Sequence, residues 1–82
     1  MDLSYLKDET KKVVGTKQTT RALREFAVKT VFIAEDADSY VTNKIIELCN
    51  EQSVEVIKIN SMKELGKICG IDVKAACAAL LK

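Results

Sequence analysis

Val31, Phe32, Ile33 and Ala34 follow one another without a polar residue, inside a stretch that begins at Val28. A strand with only one buried face alternates apolar and polar residues. An unbroken apolar run predicts a strand covered on both faces, which means helices on either side of a sheet. That requirement, more than any other, limits the folds open to this chain.

The segments around it supply the covering helices. Lys11 to Val14 reads as a brief strand, and Gly15 offers the backbone freedom of a tight strand-to-helix turn. A helix is predicted from Thr16, its expected N-cap, to about Phe26, with Ala22, Leu23 and Phe26 as its apolar stripe. Phe26 is expected to be partly packed. After the Val28–Ala34 strand, Glu35, Asp36, Ala37 and Asp38 form an acidic turn suited to capping a helix over residues 39–52. Val41, Ile45, Leu48 and Cys49 of that helix point inward. Residues 54–59 alternate as a strand, and Ser61 with Glu64 forms a capping box for a short helix that Gly70 stops. Residues 3–10 read as a first helix and residues 75–81 as a last strand. The predicted fold is α/β: a three-layer α/β/α sandwich around a central four-stranded mixed sheet, in the order α-β-α-β-α-β-α-β.

At 82 residues the chain holds one domain with a single core, and the absence of proline with only three glycines leaves no room for a linker. The first residues lack the pattern of a signal peptide and no stretch is long enough to span a membrane, so a cytoplasmic protein is expected. Cys49, Cys69 and Cys77 are odd in number, lack C-x-x-C spacing and sit among apolar residues; they read as buried thiols in a reducing compartment. There is no histidine. With no base beside any serine and no G-x-S-x-G elbow, catalysis is not expected, and no metal or cofactor is implied. The acidic cluster at residues 35–38 reads as helix capping before it reads as a magnesium site.

Net charge is +1, yet it is unevenly spread. Residues 1–29 carry seven Lys or Arg against four Asp or Glu, residues 30–60 two against six, and residues 61–82 four against two. Basic segments at both ends of the sequence form a basic face if the fold brings them together. Within the first of them, Lys17 and Arg21 lie four apart on one helical face with Gln18 beside Arg21. Two cations and an amide at the positive end of a helix suit a polyanion with hydrogen-bonding base edges. The same residues would also serve as an ordinary solvated helix surface.

Three blocks resemble one family: residues 15–21 (Gly-Thr-Lys-Gln-Thr-Thr-Arg), residues 31–38 (Val-Phe-Ile-Ala-Glu-Asp-Ala-Asp) and residues 61–70 (Ser-Met-Lys-Glu-Leu-Gly-Lys-Ile-Cys-Gly). They are similar to the kink-turn-binding ribosomal proteins, L-seven-Ae and L-thirty-e and their relatives, in the compact form of the bacterial ribosomal-protein-like members. The resemblance spans about residues 4 to 81. It implies the same three-layer sandwich and a single RNA-binding domain over residues 1–82. It also implies binding to kink-turns, stems bent at a bulge beside sheared G·A pairs, in ribosomal RNA or a riboswitch. The family's Gly-x-Asn-Glu-x-x-Lys motif falls on Gly15, Thr16, Lys17, Gln18 and Arg21, with Lys17 where Asn is common and Gln18 where Glu is common. Lysine can donate to guanine O6 and N7, and glutamine can donate and accept, so guanine recognition is retained chemically. The resemblance places a second contact at the loop before the last helix, through Asn60, Ser61, Met62 and Lys63; on charge alone, Lys17, Arg21, Lys11, Lys63 and Lys67 are candidates for phosphate contacts. Nothing requires more than a monomer. Two other classes remain open from the residues: a non-catalytic protein-interaction module on the same fold, and a small α/β domain that binds a nucleotide at the Gly15 helix start.

Overall fold

In a computed structural model, residues 11–82 are described. The first helix expected from the sequence, residues 3–10, lies outside them. Four strands and three helices follow in alternation: β1 Lys12–Val14, α1 Thr16–Arg24, β2 Val28–Ala34, α2 Ser39–Gln52, β3 Glu55–Ile59, α3 Met62–Ile68 and β4 Cys77–Leu81. The sheet order is β1-β4-β2-β3. β4 runs antiparallel to both of its neighbours, and β2 and β3 are parallel. This is the mixed four-stranded sheet that the alternating pattern predicts.

The apolar run in β2 behaves as its composition demands. Val31 and Ile33 enter one core with Ala22 and Leu23 of α1 and Ile45 and Cys49 of α2. Phe32 and Ala34 enter a second core with Leu65 of α3, Cys69 and Ala75. β4 divides the same way, with Cys77 and Ala79 on the first side and Ala78 on the second. The cysteine and alanines of central β4 let the helices sit close, and the bulk is concentrated in fully buried Phe32, Leu23, Ile45 and Leu65. The last strand, helical by propensity, is therefore a strand by packing. Val41 and Leu48, expected inward on α2, are only half-buried.

Because β1 and β2 both run against β4, while β3 runs with β2, the ends of β1, β2 and β3 and the beginning of β4 all lie at one end of the sheet. Every described helix starts there. Gly15, Glu35, Asn60 and Ala76 mark that end, strand by strand.

Candidate nucleic-acid interface

The Gly15 turn departs from expectation in one respect. The N-cap of α1 is Gly15, with φ 103° and ψ 157°, and no side chain caps the helix. Such angles are essentially confined to glycine. Thr16, expected as the cap, is already helical; its hydroxyl accepts a bond from the Cys77 thiol at 3.8 Å. The first helical bond runs from the Thr19 N–H to the Gly15 carbonyl at 3.0 Å, so the N–H groups of Thr16, Lys17 and Gln18 precede the helical ladder and face the open end. A bare helix start with its positive end outward can offer these N–H groups to an external anionic acceptor. Lys17, Gln18 and Arg21 are exposed, and no ion pair or hydrogen bond with another described residue holds their side chains.

α1 then ends in a Schellman arrangement: Ala27 N–H bonds to Ala22 O at 3.1 Å and Phe26 N–H to Leu23 O at 3.0 Å. Phe26 occupies the left-handed position, φ 55°, and is 67% exposed. It is not partly packed as the apolar stripe suggests, because the turn swings its side chain off the helix face that Ala22 and Leu23 share.

The second expected contact is built more tightly. Ser61 accepts from the Glu64 N–H at 3.0 Å, the Ser61 half of the capping box. The Met62 N–H donates to Asp36 Oδ1 at 2.7 Å, and the Met62 carbonyl accepts from Ala75 N–H at 3.0 Å. Asp38 caps α2, its Oδ1 accepting from the Tyr40 N–H at 2.9 Å. The two aspartates of the acidic turn thus cap two different helices. Ser61 and Met62 hold the loop in place, while Asn60 and Lys63 are left exposed.

The connection between the two blocks is the segment Ala75-Ala76-Cys77. Ala75 N–H reaches Met62, the Ala76 carbonyl accepts from Ala34 N–H at 2.9 Å, and the Cys77 carbonyl accepts from Gly15 N–H at 2.8 Å. Three successive residues therefore tie together the α3 start, the end of β2 and the Gly15 turn. Residues far apart in sequence become one surface through it.

The segment just before this one borders the α3 start as well, although none of the three sequence blocks includes it. Residues 71–74 fold back across α3, and a Cβ on Gly66 would overlap the Val73 carbonyl, so only glycine admits this path. Gly70, φ 77°, makes the turn that launches it. Val73 is left 69% exposed, beside a groove of about 530 Å³ bordered by Lys63, Lys67, Asp72 and Lys74. The signal was present as the Gly66–Gly70 spacing, whose meaning depends on a contact across helix and loop. Lys12, by contrast, donates from Nζ to the Cys69 carbonyl at 2.9 Å, neutralising the C-terminal end of α3.

Among the described residues no cluster of His, Cys, Asp or Glu could hold a metal ion, and no helix is long and apolar enough to cross a membrane. The three cysteines are free and buried, and burial raises each thiol above its ordinary pKa; at Cys77 the Thr19 and Thr16 hydroxyls partly offset this.

Known proteins carry the same architecture. The Giardia lamblia 15.5kD RNA binding protein superposes with a TM-score of 0.88 at 21% identity, over 98% of this chain and 68% of its own. A Bacillus halodurans protein of unknown function gives 0.86 at 18% identity, over 98% and 80%. These two agree in fold. In sequence, RNA-binding protein YbxF of Geobacillus stearothermophilus is 50% identical over 70 residues, 85% of each chain. An RNA-binding protein of Halalkalibacterium halodurans is 44% identical over 82 residues, the full length of both. A model described as the Ribosomal protein L7Ae/L30e/S12e/Gadd45 family matches residues 2–82. With the sandwich, the glycine turn and the match along nearly every residue in agreement, the chain belongs to that family.

Proposed function

We propose that the protein binds structured RNA at kink-turns and holds the bent form, acting without catalysis as a single-domain cytoplasmic monomer. The observation that carries this reading is the joining of two recognition elements at one end of the sheet through Ala75–Cys77. On one side stands an uncapped helix start bearing Lys17, Gln18 and Arg21; on the other, Val73 among lysines. The first suits phosphates and guanine edges, and the second an unstacked nucleotide that needs an apolar contact and a nearby cation. Relatives 50% identical carry the name RNA-binding protein, which supports the same direction. Ribosomal RNA is the first substrate to test and a riboswitch stem the second.

The mechanism is a shift of population. A bent stem exists in equilibrium with an extended one, and a rigid surface that matches only the bent form favours it by the difference in affinity. Lys17, Arg21, Lys63 and Lys67 supply salt-dependent phosphate contacts, while Gln18 and the backbone of the α1 start read the G·A platform.

A gel-shift titration against a kink-turn stem, and against a control with its G·A pairs replaced by Watson–Crick pairs, tests the reading. Selective binding of the first is expected. Gln18→Ala should weaken kink-turn binding by roughly 5- to 150-fold, the worth of one good base contact, and weaken duplex binding less. Equal losses on both RNAs would remove Gln18 from base readout, and equal wild-type binding to both would reduce the surface to a nonspecific basic patch.

A further inference from the structure

We infer that the groove between α1 and α2 receives unpaired nucleotides flanking the bent stem, so that RNA contact continues from the Gly15 turn onto a second helix. This rests on the RNA-binding reading above and extends it to residues outside the three sequence blocks.

The groove measures about 520 Å³ and runs between Thr16, Thr20 and Arg24 of α1 and Tyr40, Lys44 and Glu47 of α2. Both helices start at the same end of the sheet and pack into the same core, so Tyr40, the second residue of α2, stands at the end where Lys17 stands. Tyr40 is 69% exposed and contributes little to the core. Its backbone is nevertheless fixed, because Asp38 accepts its N–H at 2.9 Å. Lys44, one turn on, places Nζ 4.4 Å from the ring centroid. An aromatic ring held at a helix start, with an ammonium over it and most of its surface in water, is a platform on which a base stacks while the cation meets its phosphate. Arg24 lines the same groove from the last turn of α1, and Glu47 is the one acid among the residues lining it. The carboxylates nearest in sequence, Asp36 and Asp38, are engaged as helix caps. Two cations, two threonine hydroxyls and a stacking ring match a short single strand, and the groove continues directly from Thr16 into the motif that reads the stem.

The test compares the kink-turn stem with blunt ends to the same stem with an unpaired flank of about four nucleotides on each strand in turn, a length at the short end of single-strand sites. The wild-type protein should bind one flanked stem roughly 5- to 150-fold more tightly than the blunt stem, the range for one stacked base. The double variant Tyr40→Ala/Lys44→Ala should lose that increment and still bind the blunt stem within about twofold, and Tyr40→Phe should keep most of it. Both residues are exposed, so thermal unfolding of the variants should match wild type. No increment with any flank would overturn the inference, including the case in which the groove serves a protein partner instead. So would a variant that loses affinity for blunt and flanked stems alike. Failure of the wild type to distinguish the blunt stem from its Watson–Crick control is a separate result, which overturns the parent reading as well.

Discussion

Each of the three described helices ends with one residue in left-handed conformation, and they are Phe26, Ser53 and Gly70. The bonding is alike: Val54 N–H reaches Cys49 O at 2.9 Å and Ile71 N–H reaches Gly66 O at 3.0 Å, as Ala27 reaches Ala22. Only Gly70 announces its role in the sequence, because glycine adopts that conformation without steric cost and the others do so under tertiary constraint. That is why Phe26 reads as part of an apolar stripe and proves to be exposed. Gly15 and Gly66 are legible as glycines, yet for different reasons. Nothing lies near a Cβ built at Gly15, so backbone angles alone demand glycine there, whereas Gly66 is demanded by the Val73 carbonyl. Gly66→Ala should therefore destabilise the fold by about 1–3 kcal/mol despite alanine's better helix propensity. In a domain of this size that is a fall of about 5–20 °C in Tm by thermal unfolding. Kink-turn affinity should fall even at temperatures where the variant is folded, because the loop bearing Val73 must shift.

Among the elements, helix starts were largely legible and their cross-connections were not. Ser61 and Glu64 are a local pattern, three apart, and the Ser61 bond forms as that pattern predicts. Asp36 lies twenty-six residues before the Met62 N–H it accepts, a pairing that only the parallel β2–β3 register creates. Ser61→Ala and Asp36→Ala should each cost about 0.5–2 kcal/mol in urea unfolding. The double variant should lose less than the sum, since both residues satisfy N–H groups of one helical turn that frays once either bond is gone. Strict additivity would mean that the two caps act independently. α1 has no such side-chain cap, and that open start is the feature on which its proposed role in recognition rests.

On the scale of the whole molecule, the alternating pattern specified the layers, and the apolar run in β2 specified that both faces are covered. The strand order was not legible, because short strands of similar composition do not name their neighbours. The position of β4 follows from size instead: its Cys77, Ala78 and Ala79 are small enough for the centre of the sheet, between helices on both sides. Burying thiols in that centre has a pH consequence. Burial, with the neighbouring Cys77 adding to it, raises the Cys49 thiol from 9.0 to about 11. Below pH 9 the thiol is neutral in both states and its contribution is complete. Between pH 9 and about 11 the unfolded chain ionises first, so stability is lost as pH rises through that window. The urea midpoint should fall from pH 8 to pH 10.5, and Cys49→Val should shrink the fall.

The order in which the strands are made opposes the order in which they stand. β4 follows the other three strands in the chain and lies between β1 and β2 in the sheet, pairing Lys12 with Leu80. A growing chain that has reached only residue 74 has no bridge between β1 and the β2–β3 pair. It also lacks the carbonyls that anchor Ala34 and Gly15. The surface proposed to grip RNA is therefore complete only once β4 is present. A chain still being made cannot join its two halves until its last five-residue strand is in place.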